Sequence, residues 1–190
     1  GINTEVFKPS EDNVFRIKYR LENKFILLGV ATSWGSKKGL HDFIELGKLL
    51  KTDYQIVLVG LTKKQIEQLP DNILGIERTE SVKELAEIYS ASDVFVNPTY
   101  EDSFPTTNLE SLACGTPVIT YKTGGSPEAI DELTGIVVEQ GNIGKLIDAI
   151  NKVKDKGKQS YSEACVNRAH RLYKKEDRYQ EYIELYGSLL

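Results

Sequence analysis

The chain has 190 residues and a formal net charge of −4, which is enough length for one domain with a sizeable core. This mild acidity excludes a general nucleic-acid or membrane-surface binder, because such proteins carry a basic patch. No apolar run approaches the roughly 20 residues that a membrane-spanning helix needs, and no signal peptide is visible.

The two cysteines, Cys114 and Cys165, lie far apart and belong to no CxxC motif, so we expect neither a disulfide framework nor a zinc site. Neither His41 nor His170 has a Ser, Cys or second His at a useful spacing, which argues against a nucleophile triad or a metal cluster. A reducing cytoplasm is the expected location. The chain has no methionine and begins at Gly1, and we expect it to be a piece of a longer protein.

Strand signals and helix signals alternate from Phe25 onward. Continuous apolar runs predict strands buried on both faces, at residues 25–30, 55–59, 73–76, 94–97, 117–120 and 135–138. Helix signals lie between them, such as a capping box from Ser81 to Glu84 and a cap at Asn142. Strands regularly separated by helices predict right-handed βαβ units. We therefore expect residues 1–190 to form one α/β domain, with a Rossmann-like parallel sheet of about six strands and helices on both faces.

The two ends of the chain follow other patterns. Residues 1–9 predict irregular structure, and residues 12–24 predict one polar helix. Near the end, an aromatic and apolar stripe recurs at helical spacing, at Tyr179, Tyr182, Ile183, Tyr186 and Leu190. Two interpretations stay open: the stripe packs on this same domain, or it spans to a domain outside this sequence.

The segment 100–110 joins a predicted strand to a short helix and carries two acidic positions, Asp102 and Glu110. Open α/β sheets bind ligands at such strand ends, and free helix N–H groups there can hold an anion. A carboxylate at this edge can accept hydrogen bonds from a vicinal diol of a ribose or a hexose. The alternatives are that Glu110 completes a capping box with Thr107, and that Asp102 and Glu101 are solvated loop charges.

Two other loops lie at the same predicted edge. The loop after the first strand contains Lys38, which can pair with phosphate as a point charge or can be a solvated surface lysine. Trp34 in that loop is interpreted as an exposed aromatic and a candidate lid. Gly124 and Gly125 form a bare loop that opens a helix.

Taken together, these segments resemble the donor-binding half of retaining glycosyltransferases with the GT-B fold, in the group related to sucrose and mannosyl transferases. Six family motifs match in order, namely GVDxxxFxP at 1–9, KG at 38–39, YxxADVFVxPS at 89–99, E-x7-E at 102–110 with Asp first, AxGxPV at 113–118 and GGxxE at 124–128. The resemblance covers nearly the whole chain. It implies that residues 1–190 are the C-terminal nucleotide-sugar-binding domain of a protein whose N-terminal acceptor-binding domain lies outside this sequence.

The resemblance implies catalytic roles for three side chains. Lys38 would neutralise the leaving diphosphate, and Asp102 or its neighbour Glu101 would lie near the transferred sugar. Thr106 and Thr107, at the start of the helix, would hold phosphate.

The remaining donor contacts are implied in the same way. The backbone of Phe104 would face the donor, and Glu110 would bind the ribose diol. Arg78 and Thr79, after the third strand, would flank the base. The glycine pair at 124–125 would complete the donor site.

The chain departs from the family pattern at two places. The family usually carries an arginine five residues before the KG lysine, where this chain has Ser33, so one phosphate cation is missing or Lys37 replaces it. The usual glycine after Phe104 is Pro105, which has no N–H to donate and constrains how closely the backbone approaches the sugar.

The resemblance implies retaining transfer of a hexosyl unit from a UDP-, GDP- or ADP-sugar to an acceptor hydroxyl, in bacterial polysaccharide or glycoconjugate assembly. We expect no metal ion or other cofactor and no nucleic-acid partner. The full-length enzyme would be cytoplasmic, or peripheral at the inner membrane, and the isolated domain would be inactive. The alternatives are half of a GT-B sugar-nucleotide epimerase and a non-catalytic nucleotide-binding module.

Overall fold

The computed structural model describes residues 1–187, apart from the side chain of Tyr182. The strands are β1 (Phe25–Val30), β2 (Tyr54–Val59), β3 (Ile73–Ile76), β4 (Val94–Asn97), β5 (Val118–Tyr121) and β6 (Gly135–Val138). The helices are α1 (Val14–Tyr19), α2 (Leu40–Leu49), α3 (Lys63–Glu67), α4 (Val82–Ala91), α5 (Thr106–Ala113), α6 (Ile143–Lys156), α7 (Gln159–Tyr173) and α8 (Lys175–Gly187). None of these helices has both the length and the apolarity that crossing a membrane requires.

The six strands of the described chain form one parallel sheet in the order β3-β2-β1-β4-β5-β6. This confirms the predicted Rossmann-like α/β fold. The strand order reverses between β1 and β4, which pair at Leu27↔Val94 and Leu28↔Phe95. The carboxyl ends of β1 and β4 therefore flank the crevice in which sheets of this order bind ligands.

The central strands are buried along nearly their whole length. All four residues of β4 and of β5 are buried, as are the four central residues of β1. Helices cover both faces of the sheet, which explains why these strands are continuous apolar runs rather than alternating ones. Burying a side chain such as Leu27 or Phe95 stabilises the fold by roughly 1.5–3 kcal/mol.

Asp93, in the ADVFV segment before β4, has a structural role. Its Oδ2 accepts the N–H of Ile26 at 2.6 Å and pairs with the Arg16 guanidinium at 2.8 Å. Arg16 also donates to the carbonyls of Ala91 and Lys24. This network joins α1 to the start of both central strands.

The helix at the beginning of the chain is shorter than the sequence predicts. One helix was expected over residues 12–24, but α1 ends at Tyr19. Arg20 adopts the left-handed conformation (φ 56°, ψ 47°), and the N–H of Leu21 turns back to the carbonyl of Arg16 at 2.8 Å. The prediction is wrong because this reversal buries Leu21 in the core, where a continuing helix would not place it.

The described part of the stripe on α8 does not pack on this domain. Tyr179, Ile183 and Tyr186 are all more than half exposed, while Leu190 and the side chain of Tyr182 lie outside the described residues. The start of α8 is nevertheless fixed to the beginning of the chain. The N–H of Ile2 donates to the carbonyl of Tyr173, and its carbonyl accepts the N–H of Lys175.

Candidate functional site

The loop after β1 (residues 31–39, the β1 loop) is held against the loop after β4 (residues 98–105, the β4 loop). Gly39 has φ 71°, and a Cβ there would lie 2.3 Å from the carbonyl oxygen of Pro98. The carbonyl of Lys37 accepts the N–H of Tyr100 at 2.8 Å. The KG motif therefore needs its glycine because the two loops touch through their backbones.

Two ion pairs join the same loops and bring together the three predicted catalytic residues. Lys38 Nζ lies 2.6 Å from Asp102 Oδ2, with the two side chains 35% and 17% exposed. Lys37 pairs with Glu101 at the same distance, but both of these side chains are about two-thirds exposed. An exposed pair contributes at most about 1 kcal/mol, so Lys38–Asp102 is the stronger contact.

Gly124 and Gly125 pack directly against the backbone of the β4 loop. Gly124 has φ 50°, and a Cβ there would lie 1.9 Å from the carbonyl oxygen of Asp102. The N–H of Gly125 donates to the carbonyl of Ser103 at 2.9 Å. The structure thus gives these predicted donor contacts a supporting role, since they set the path of the backbone that carries Asp102.

An open cavity of about 550 Å³ lies at the carboxyl edge of the sheet. It brings together five of the predicted site residues, which are Arg78, Thr79, Thr106, Thr107 and Glu110. The other predicted residues lie in the neighbouring loops rather than in its lining, and these are Ser33, Lys37, Lys38, Glu101, Asp102, Phe104, Pro105, Gly124 and Gly125. The predicted site is therefore a cavity with a charged loop pair outside its lining.

The amino end of α5 faces this cavity through Thr106 and Thr107. No side chain among the described residues caps the helix, and its first turn holds no acidic side chain. Pro105 precedes the helix and has no N–H, and its carbonyl accepts the N–H of Asn108 at 3.2 Å, which leaves the amides of Thr106 and Thr107 as donors. Such an uncapped helix start attracts an anion through its N–H groups and its dipole.

Glu110, one turn further along α5, is half-buried and lines the cavity. Its Oε2 accepts a hydrogen bond from the hydroxyl of the fully buried Tyr89 at 3.1 Å. Burial raises the pKa of Glu110 above its ordinary value, and the bond from Tyr89 opposes that rise. The capping-box alternative for Glu110 is wrong, because α5 begins at Thr106 without a side-chain cap and the carboxylate is bonded to Tyr89.

Three aromatic or polar residues of the loops differ in their surroundings. Trp34 is not a lid: it is buried against Phe43, and its Nε1 donates to the carbonyl of Val59 at 2.8 Å. The Phe104 ring lies 6.0 Å from the Tyr173 ring. Ser33 is exposed, and it is its neighbour Thr32 that lines the cavity.

Several residues of the cavity are not among the predicted site residues. Gly60 follows β2 with φ 97°, and a Cβ there would lie 1.7 Å from the carbonyl oxygen of Ala31. Lys63 and Glu77 line the cavity, and Tyr89 lies behind Glu110. A glycine directly after the apolar strand β2 predicts a turn at Gly60. No local sequence pattern links Tyr89 to Glu110.

A second cavity, of about 580 Å³, lies along the edge strand β6 and is lined by residues such as Ile136 and Tyr161. None of the predicted site residues borders it. The 550 Å³ cavity is the better candidate because it combines helix N–H donors, a half-buried carboxylate and adjacent lysines at the point where the strand order reverses.

Comparison with known proteins identifies the chain's relatives. The D-inositol 3-phosphate glycosyltransferase of Mycobacterium sp. (strain JLS) is 31% identical over 182 residues, which cover 89% of this chain and 41% of that protein. The chain thus spans less than half the length of this relative.

Two solved structures share the fold. The sucrose-phosphate synthase of Thermosynechococcus elongatus matches with a TM-score of 0.87 and 25% identity, over 100% of this chain and 51% of that one. Anabaena HepE in complex with UDP-glucose matches with a TM-score of 0.85 and 19% identity, over 99% of this chain and 56% of that one. The fold is that of one half of a GT-B glycosyltransferase. Since the family model of glycosyl transferases group 1 matches residues 11–172, the chain belongs to that family.

Proposed function

We propose that this chain is the donor-binding domain of a retaining glycosyltransferase, and that it binds a nucleoside-diphosphate sugar in the 550 Å³ cavity and the adjoining loops. The observation that carries the proposal is the meeting of Glu110 and the uncapped start of α5 in one cavity, with Lys38 on the neighbouring loop. The UDP-glucose complex of HepE supports this class of ligand.

Different residues of the cavity would contact different parts of the nucleotide-sugar donor. Glu110 is a half-buried acceptor suited to the two hydroxyls of a ribose. Thr106 and Thr107 offer amides to the diphosphate at the positive end of the α5 dipole. Arg78 and Thr79 also line the cavity and would flank the base.

Transfer of the hexosyl unit would be driven by electrostatic stabilisation of the leaving diphosphate. Negative charge develops on the diphosphate as the glycosidic bond breaks, and Lys38 and the α5 amides are positive groups placed at that edge. Lys38 would exchange its partner Asp102 for phosphate, which frees the Asp102 carboxylate toward the sugar. Lys37 is the cation available in place of the family arginine at Ser33.

The acceptor-binding domain would dock beside α8. The exposed side chains of Tyr179, Ile183 and Tyr186 form an aromatic and apolar face on that helix. The backbone bonds of Ile2 place the beginning of the chain at the start of α8. A domain that precedes Gly1 would therefore attach next to this face. Since the residues that bind the acceptor would come from that domain, this chain alone should bind the donor without transferring sugar. The complete enzyme would act in polysaccharide or glycoconjugate assembly.

Isothermal titration calorimetry tests the proposal directly. The chain is titrated with UDP, GDP and ADP and with their glucose or mannose conjugates. We expect at least one diphosphate to bind, with the free nucleoside much weaker. Absence of binding by every compound would contradict the proposal. Binding that never supports transfer when the chain is rejoined to its acceptor domain would indicate a non-catalytic nucleotide-binding module.

A further inference from the structure

Resting on the proposed function, we propose that Tyr89 is a positioning residue for donor binding: its hydroxyl fixes the Glu110 carboxylate in the orientation that receives the ribose diol. The hydroxyl of Tyr89 donates to Oε2 of Glu110 at 3.1 Å. This leaves Oε1 and the remaining acceptor capacity of the carboxylate for the two hydroxyls of a ribose.

Tyr89 is well placed to hold another side chain still. It is fully buried, and its ring meets Phe7 and Phe95 edge-on, with centroids 6.2 and 5.4 Å away. Its carbonyl accepts the hydroxyl of Thr116 at 2.7 Å, which ties the end of α4 to the segment before β5. A hydrogen-bonding side chain whose ring and backbone are both fixed can define the rotamer of the carboxylate to which it donates.

The hydrogen bond from Tyr89 favours the ionised form of Glu110, which burial disfavours. Burial raises the pKa of Glu110, so the ionised form is disfavoured, while the Tyr89 bond acts in the opposite direction. Burial and the nearby carboxylate raise the pKa of Tyr89 well above its ordinary value, so the phenol keeps the proton that it donates. The pair therefore maintains a carboxylate at the wall of the cavity.

Other charged groups face the same space. Lys63, Glu77 and Arg78 line the cavity, whereas Cys114 lies outside its lining, directly after the last residue of α5. Burial raises the pKa of the Cys114 thiol to about 12, so it stays neutral. Among residues 1–187, the hydrogen bond that the structure shows to the Glu110 carboxylate comes from Tyr89.

The test is a double-mutant cycle between Tyr89→Phe and Glu110→Ala, with Glu110→Gln measured beside it. Calorimetry compares UDP with 2′-deoxy-UDP, or the GDP or ADP pair if one of those binds more tightly. We expect Tyr89→Phe to weaken ribonucleotide binding about three- to tenfold, the size of one ordinary hydrogen bond, because Tyr89 acts on the ribose only through Glu110. The deoxynucleotide should change little. In the Glu110→Ala background, which leaves no side-chain oxygen for Tyr89 to orient, the same substitution should add almost nothing, because Tyr89 acts through Glu110.

Tyr54→Phe is the matched control, since Tyr54 also donates from a tyrosine hydroxyl, to Asn151 Oδ1 at 2.6 Å, at the opposite edge of the sheet. It should leave both nucleotides unaffected. A pH series gives a second readout. Without the Tyr89 bond the pKa of Glu110 rises, so Glu110 takes up its proton at a higher pH. As the pH is lowered, Tyr89→Phe should therefore lose ribonucleotide affinity at a higher pH than the parent does.

The outcomes separate the positioning role from the proposed function. Loss of affinity in Glu110→Gln with none in Tyr89→Phe would overturn the role of Tyr89 and leave the donor site standing. Equal loss for UDP and 2′-deoxy-UDP, or additive losses in the cycle, would show that Tyr89 only supports the fold. If no nucleotide binds the parent chain, both proposals fall.

Discussion

Lys38 and Asp102 neutralise each other across the two loops of the site, with Nζ 2.6 Å from Oδ2. The resemblance to known glycosyltransferases assigns both residues to the donor, one to the diphosphate and one to the sugar. If a diphosphate binds at Lys38 as proposed, it would share the ammonium group with the Asp102 carboxylate. Asp102 would then act as an internal competitor for the proposed ligand.

Asp102→Asn should strengthen the binding of a nucleoside diphosphate that carries no sugar. Removing the negative charge frees Lys38, and a gain of about two- to fivefold is expected for one partly exposed ion pair. Calorimetry with UDP, GDP or ADP measures the change. Glu101→Gln is the control, because the Lys37–Glu101 pair is exposed and should contribute little. Weaker binding in Asp102→Asn would show that the carboxylate helps to shape the phosphate site instead.

Lys38→Ala should weaken diphosphate binding by about 1.5–3 kcal/mol, the contribution of a hydrogen bond to a charged group. The nucleoside without phosphate should lose much less, since it offers Lys38 no partner. Lys37→Ala serves as the control and should have the smaller effect, because Lys37 is far more exposed. If nucleoside and diphosphate lose equal affinity in Lys38→Ala, Lys38 acts only on the shape of the β1 loop.

The sequence predicted the sheet well because short apolar runs that alternate with helix signals are typical of buried parallel strands. The predicted strand boundaries at β1, β3, β4 and β6 agree with the structure. The short helix α3 was missed, although Thr62 and Gln65 form a complete capping box in front of it. Five residues are too few to show a helical stripe.

The interior of the site was harder to predict than its location. Trp34 lies in a loop, and this position suggested that its side chain is exposed. Its large ring is instead buried against Phe43, a contact that the loop sequence does not reveal. Tyr89 and Glu110 are 21 residues apart and meet only because α4 and α5 pack together. Pairs of this kind depend on tertiary packing, which no local pattern reports.

Gly124→Ala should destabilise the domain and weaken nucleotide binding together. A Cβ at this position would lie 1.9 Å from the carbonyl oxygen of Asp102, and φ is 50°, so the β4 loop must shift. We expect a loss of roughly 1–3 kcal/mol in the free energy of unfolding for the strained backbone, measured by urea denaturation. Gly144→Ala is the control, since Gly144 is exposed in α6 and a Cβ there would lie 3.7 Å from Asn142 Oδ1, an ordinary van der Waals distance. It should stabilise the chain by roughly 0.5–1 kcal/mol. Unchanged stability and affinity in Gly124→Ala would mean that the two loops are not in firm contact.

Glu110 should oppose folding stability at neutral pH. Its pKa is raised in the folded chain, so the folded state holds the proton more tightly than the unfolded state does. The resulting loss of stability is complete above the folded pKa and absent below the unfolded value of about 4.3. It therefore grows as the pH rises through the interval between the two.

Glu110→Gln removes that charge but keeps a carbonyl oxygen that can accept the Tyr89 hydroxyl. The variant should unfold at a higher temperature than the parent at pH 7, and the difference should vanish as the pH falls below about 4. The same variant should bind the ribonucleotide about tenfold more weakly, because one acceptor and the charge are lost, while 2′-deoxynucleotide affinity stays close to that of the parent. Thermal melts across a pH series and calorimetry at pH 7 measure the two effects. A fold that became more stable while ribonucleotide binding was unchanged would mean that Glu110 does not contact the ribose.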